Sequence, residues 1–320
     1  MSRTRLPLTR LFAAVLLLPC MGLAAEERAS DAAPSALRER LADRLKDDAA
    51  TLKLSGPRRP DKAASGAAAE PSRRGSAAAR GAAKPAKPAA PPAPAPWGYE
   101  GDGAPEHWAR LAPENRLCAA GLRQSPVDLR DTVRVEQEPL RLDYRAGAFT
   151  VQDNGRAIQL TVAPGNALQV MGRRFELQRL VFRAPAESRI AGRSFDMSVQ
   201  LLHKDAEGRH AVLEVLLDRG MAPAPQPAVQ TVLNHLPLER GEAYTPAQAL
   251  DPLDFLPADR AYFSYMGSLS TPPCTEGVLW LVLRQPVPIS SPQLEIFRRF
   301  HPMNARPPQP TGDRLIKESS

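Results

Sequence analysis

Between Phe175 and Asp205 the chain reads FELQRLVFRAPAESRIAGRSFDMSVQLLHKD. Two segments, Leu177–Arg183 and Asp196–Leu202, alternate like short strands, with a turn-rich break between them. Side chains at i and i+2 of a strand share a face. Arg179, Val181 and Arg183 therefore form one row, and antiparallel pairing of the second segment adds Ser198, Gln200 and Leu202 to the same side. The chemistry open to that set is narrow. Valine has no lone pair, arginine stays protonated and repels a dication, and a lone glutamine oxygen is a poor ligand for a transition metal. Guanidinium groups instead grip carboxylates and phosphates through forked hydrogen bonds, or are neutralised by a carboxylate of their own chain.

The chain has five histidines, His107, His203, His210, His235 and His301, and no spacing brings three of them together. His203 lies three residues beyond Gln200, an odd offset that turns it to the opposite face of the strand, where it reads as a structural residue. Without an adjacent histidine, a serine here lacks the base that activates a hydrolytic nucleophile.

The elements around this stretch are unevenly distributed over 320 residues and 34 prolines. Residues 1–25 read as a secretion signal: Arg3, Arg5 and Arg10, an apolar run from Leu11 to Leu18, and the small residues Gly22-Leu23-Ala24-Ala25. The apolar run is short for a membrane span, so no transmembrane segment is expected after cleavage; a retained anchor is the alternative. Pro19 before Cys20 fits a lipoprotein signal poorly. Residues 26–55 hold a possible amphipathic helix, with Leu37, Leu41, Leu45 and Leu52 near one face and Ser35 as a possible cap. Residues 56–96 are rich in Ala, Pro, Lys and Arg with almost no large apolar residue, the composition of a disordered linker ending in a polyproline-like spacer.

The formal net charge of +7 divides into +3 over residues 1–25, +5 over 26–96 and −1 from Trp97 onward. The basic balance belongs to the signal and linker, which argues against a nucleic-acid-binding domain. Basic linker residues suit an anionic envelope surface. Two cysteines, Cys118 and Cys274, remain beyond the signal, and in an exported chain they most simply form one bridge.

From Trp97 the pattern is short alternating runs: Leu140–Tyr144, Phe149–Gln152, Ala157–Val162, His210–Leu217 and Trp280–Leu283. Turn chemistry at Asp153-Asn154-Gly155 and Pro164-Gly165-Asn166 separates them. Gln226–Leu236 and Ser291–Phe300 read as helices. No internal repeat is present.

Several ordered motifs give this region a family likeness. They are Trp97-Gly98-Tyr99 with Pro105-Glu106-His107-Trp108, the run Gln124–Leu129 (QSPVDL), the run Gly267–Trp280 (GSLSTPPCTEGVLW), and the run Asn304–Gln309 (NARPPQ). With them, the stretch from Trp97 to Gln309 resembles the alpha-class carbonic anhydrases. The resemblance implies a mainly β (α+β) fold over residues 97–312: a large, twisted, mostly antiparallel central sheet with short peripheral helices, followed by a tail at 313–320. It also pairs Cys118 with Cys274.

That family holds zinc on three histidines, two at i and i+2 of one strand and one on its neighbour. The matching positions here are Val181, Arg183 and Gln200, none a histidine. Glu187 and Ser270 match the carboxylate and hydroxyl that orient the metal-bound hydroxide. Arg156 matches the proton shuttle, and Ser198 a carboxylate that orients a ligand. The resemblance therefore implies a catalytically inactive member with no cofactor, an exported binding or scaffold module, periplasmic or secreted, whose partner is a protein or envelope component. The alternative is an active lyase hydrating carbon dioxide with zinc on non-standard ligands. Two uses of the arginines follow. Arg183 pairs internally with Glu187, or the cavity takes an anionic small ligand through Arg156, Arg179 and Arg183 with Gln200, Ser270 and Thr271.

Overall fold

The computed structural model describes residues 97–221 and 225–320. The signal, amphipathic helix and linker expected at 1–25, 26–55 and 56–96 lie outside the described residues.

The chain enters through two short helices, α1 (Trp108–Leu111) and α2 (Leu117–Ala120). It then forms strands β1 (Asp128–Leu129), β2 (Val133–Val135), β3 (Arg141–Asp143), β4 (Phe149–Asp153), β5 (Ile158–Val162) and β6 (Ala167–Val170). The β4–β5 turn is built by its own side chains. Asn154 Oδ1 accepts from the backbone N–H groups of Arg156 and Ala157, and Gly155 takes a φ of 78° that suits a residue without a Cβ. Next come β7 (Arg173–Arg183), β8 (Arg189–Ile190), β9 (Met197–Lys204) and β10 (His210–Asp218). The remainder is α3 (Pro227–Asn234), β11 (Ala243–Tyr244), β12 (Tyr262–Ser268), β13 (Glu276–Leu283), β14 (Val287–Pro288), α4 (Ser291–Phe300) and β15 (Lys317–Ser319). Helix α4 starts where the sequence places it, fixed by a reciprocal cap between Ser290 and Gln293.

Thirteen of these strands form one sheet in the order β11-β4-β5-β7-β9-β10-β13-β12-β15-β2, with β14 on β10 and β6 joining β3 to β7. Most neighbours are antiparallel, while β10–β13, β10–β14 and β15–β2 are parallel. This is the large, mostly antiparallel sheet with short helices that the sequence led us to expect. One boundary is corrected. Residues 313–320, read as a tail, supply β15, inserted between β12 and β2, and Ile316 is buried beside it. Three residues are too few to announce a strand by alternation; the neighbours decide it.

Period-two alternation divides the central strands between two faces. Leu180 and Phe182 of β7, Val199 and Leu201 of β9, Leu213 and Val215 of β10, and Leu281 and Leu283 of β13 enter the main core with residues of α3 and α4. The intervening residues face the other way, Val212, Leu216, Val278, Trp280 and Val282 joining a second apolar cluster. In β7 the alternation is interrupted once. Leu177 pairs with His203 but Arg179 with Leu202, so Gln178 is an extra residue. Leu177 thereby points into the main core, while Arg179, two residues on, points to the opposite side.

Cys118 and Cys274 are bonded, with Cα atoms 5.1 Å apart across a sequence separation of 156. On the chain-entropy model a loop of that size is worth at most about 5 kcal/mol. The bridge joins the entry helices to the loop before β13. Nearby, Gly267 in β12 has no room for a side chain: a Cβ would run into Ser125 Oγ and press on the rings of Tyr265 and Trp280. Gly267→Ala should lower stability by about 1–3 kcal/mol, seen as a lower urea midpoint with an unchanged slope.

Candidate functional site

The second face of the sheet carries one row of chemistry. Register places Val181 opposite Gln200 and Gln200 opposite Glu214. One step along, Arg179 faces Leu202, which faces Val212, which faces Trp280. The set inferred from spacing, Arg179, Val181, Arg183, Ser198, Gln200 and Leu202, is thus brought to one side by two antiparallel strands. His203 lies on the other side, buried against Tyr144, whose hydroxyl is 2.6 Å from its Nε2. Burial pushes its pKa down to about 4.

Above this row lies a cavity of about 310 Å³, and all six residues expected to hold a ligand, Arg156, Arg179, Arg183, Gln200, Ser270 and Thr271, line it. They are not equally available. Arg183 is only 5% exposed and is committed to the protein. Its Nη1 donates to the Tyr99 hydroxyl at 2.5 Å and to the Asn304 carbonyl at 3.3 Å, and its Nε donates to Gln200 Oε1 at 3.3 Å. Glu187, also buried, approaches Nε within 3.8 Å, which is the internal pairing expected from the sequence. Burial opposes the Arg183 charge, but Tyr99 and Glu187 together hold its pKa above the ordinary arginine value. Burial likewise pushes Tyr99 up to about 12.

Gln200 is the adaptor of the cluster. With its oxygen on Arg183, its Nε2 donates to Glu187 at 2.7 Å and to Glu214 at 3.2 Å. Glu214 takes further hydrogen bonds from Ser198 Oγ at 2.7 Å and from Ser188 Oγ. The other Glu187 oxygen accepts the backbone N–H of Arg306 at 2.9 Å. Glu187 is held by Gln200, Arg306 and Arg183, and Ser270 remains a lining residue of the cavity. Ser198, in the place of a ligand-orienting carboxylate, supports Glu214.

Glu214 is the participant the sequence reading overlooked. The only signal was one acid in the apolar run His210–Leu217. Tyr99, Asn304 and Arg306 stood in visible motifs without a role. Asn304 fixes the end of β7 by accepting from Ala184 N–H and donating to the Phe182 carbonyl. The buried Arg306 guanidinium ties Gln124, the Ser125 carbonyl and the Cys118 carbonyl together, and burial pushes its pKa down to about 10.

The model of the eukaryotic-type carbonic anhydrase family matches residues 103–320. This chain belongs to the alpha-class carbonic anhydrase family. It is 36% identical over 221 residues to a carbonic anhydrase of Pectobacterium carotovorum, covering 69% of this chain and 89% of that protein. The structure of a hyperthermostable carbonic anhydrase from an active hydrothermal vent chimney superposes with a TM-score of 0.68 at 36% identity, over 70% of this chain and all of that one. A dioscorin in complex with ascorbate superposes at 0.65 with 29% identity, over 70% of this chain and 98% of that one.

Zinc, which the anhydrase fold implies, can be tested against these residues. They do not fit it. Val181 offers no donor, a guanidinium cation lies at the second position, and the only lone-pair atom of Gln200 is bonded to that cation. Among the described residues no group of three or more His, Cys, Asp or Glu is placed to hold a metal.

The buried charges give two expectations. Arg183→Met leaves Glu187 and Glu214 without their cation and should cost about 3–5 kcal/mol, most of it recovered in the double variant with Glu187→Gln; chemical denaturation measures both. Burial raises the Glu214 pKa, helped by the Glu187 charge and opposed by its serine donors. A raised carboxyl contributes stability that is full below its unfolded pKa and is lost as pH rises through the folded value. Glu214→Gln removes that loss, so its melting temperature relative to the parent chain should rise from pH 4.5 to pH 8.

Proposed function

We propose that this chain is an exported, non-catalytic member of the carbonic anhydrase family, acting as a binding or scaffold module rather than as a hydratase. One observation carries the reading: the buried Arg183 guanidinium stands at a metal-ligand position, already bonded to Gln200, Tyr99 and Asn304 and paired with Glu187. A cation held there by its own neutralising carboxylate repels a second cation, and removing it would strand buried negative charge. Hydration of carbon dioxide at neutral pH relies on zinc lowering the pKa of bound water to roughly 7, and no residue lining the cavity supplies an equivalent nucleophile. The Cys118–Cys274 bridge and the secretion-signal composition of residues 1–25 support a location outside the cytoplasm, periplasmic or secreted. The linker composition at 56–96 supports a tethered domain, and the dioscorin relative, described with ascorbate, supports small-molecule binding on this fold.

The family membership itself favours the second reading, a zinc lyase with unforeseen ligands, and one experiment separates the two. Protein purified without chelators should carry well under one zinc per chain and accelerate carbon dioxide hydration no more than an equal mass of serum albumin. Stoichiometric zinc with hydration activity reverses the conclusion.

A further inference from the structure

The cavity lining holds three arginines and no aspartate or glutamate. The carboxylates that neutralise Arg183 lie beneath the floor, turned toward Gln200 and the backbone of Arg306. The other two arginines have no such partner. Arg179 is exposed at the upper part of the wall and makes no ion pair among the described residues. Its pKa is lowered by burial of its stem and by the charge of Arg183, so a positive charge is held there against resistance. Arg156 is anchored at one corner, its Nε donating to the Trp97 carbonyl at 2.7 Å and its guanidinium lying 4.4 Å from the centre of the Trp97 ring. That anchoring leaves the other guanidinium nitrogens for a ligand and fixes the plane in which they point.

Beside the arginines the lining carries apolar side chains: Val181, Leu202, Val212, Leu269, Pro273 and Trp280. A volume near 310 Å³ lies at the lower end of the range of about 300–1,000 Å³ for small-molecule sites. Like-charged arginines about one cavity repel unless an anion intervenes. The apolar wall remains wetted unless the anion carries an apolar body.

We infer that the cavity is a binding site for a small organic carboxylate with a flat apolar body, its head held by Arg179 with Arg156 and its body laid on the Leu202–Leu269 side. The site rests on the non-catalytic reading, since it uses the cavity in its metal-free form. Arg183 takes no part in direct contact; its charge is matched internally. Inorganic phosphate has the charge but lacks the body, and serves as a control.

Benzoate is the probe, titrated calorimetrically into the full chain with its zinc content measured in the same sample. One benzoate per chain should bind. Benzamide and acetate should each bind at least tenfold more weakly, and Arg179→Gln should weaken benzoate roughly tenfold, as loss of a charge-assisted hydrogen bond does. Because Arg179 makes no ion pair among the described residues, Arg179→Gln should fold, with a melting temperature equal to or above the parent's. Absence of benzoate binding to zinc-free protein overturns the inference and leaves the non-catalytic reading standing. So does unchanged affinity in Arg179→Gln. Equal binding of benzoate, acetate and phosphate that vanishes in 0.5 M salt, as roughly expected of an unspecific field, overturns it as well. Benzoate binding that appears only with stoichiometric zinc and is lost on its removal overturns both.

Discussion

A guanidinium charge with almost no access to water must be answered inside the protein, and the arrangement around Arg183 is that answer. Tyr99, Asn304, Gln200 and Glu187 come from four separate parts of the chain to meet it. Removing a charge from water costs several kcal/mol before any partner is found, so the entry motif, the central strands and the closing motif must assemble together for the cost to be met. The amide of Gln200 makes this possible because it is both acceptor and donor. Its oxygen meets the cation and its nitrogen meets two carboxylates, passing the charge contrast from β7 to β10 across a single strand.

The same network separates the cavity into two electrostatic regimes. Its floor is internally matched, with Arg183 against Glu187 and Glu214 supported by two serines. Its wall is unmatched, with Arg156 and Arg179 open and no acid in the lining. A family framework that elsewhere is named for an enzymatic activity here presents an organised cation in its depth and uncompensated cations above it. Apolar side chains of β9, β10 and β13 line the remainder, so the cavity is amphipathic by construction.

Much of the fold was legible because it is local. Alternation in Leu177–Arg183 and Asp196–Leu202 gave the strand pair and its shared face. The odd offset of His203 gave its place on the far side, and the helix read over Ser291–Phe300, with a proline in its first turn, is α4. The cysteine pair and the motifs placed the chain in its family. The partners of Arg183 were not legible, because Tyr99 lies 84 residues away and Asn304 lies 121 residues away, distances over which pattern carries no register. Glu214 escaped for a different reason. In an apolar run the acid looks like an interruption, and only the register with Gln200 shows that it faces a buried polar network rather than solvent. The strand at Lys317–Ser319 is made by its neighbours and has no signal of its own.

The extra residue at Gln178 acts as a phase shifter in β7. Upstream of it, odd-numbered side chains such as Phe175 and Leu177 point into the main core; downstream, odd numbers point to the cavity. Two halves of one strand thus obey opposite parity rules, and loss of that single residue would leave Leu177 opposite His203 and Arg179 opposite Leu202, a regular ladder with both halves still facing as they do now. The bulge therefore absorbs a one-residue difference in length between the two strands, letting Phe175 and Leu177 reach the interior while Arg179, Val181 and Arg183 stay on the cavity side.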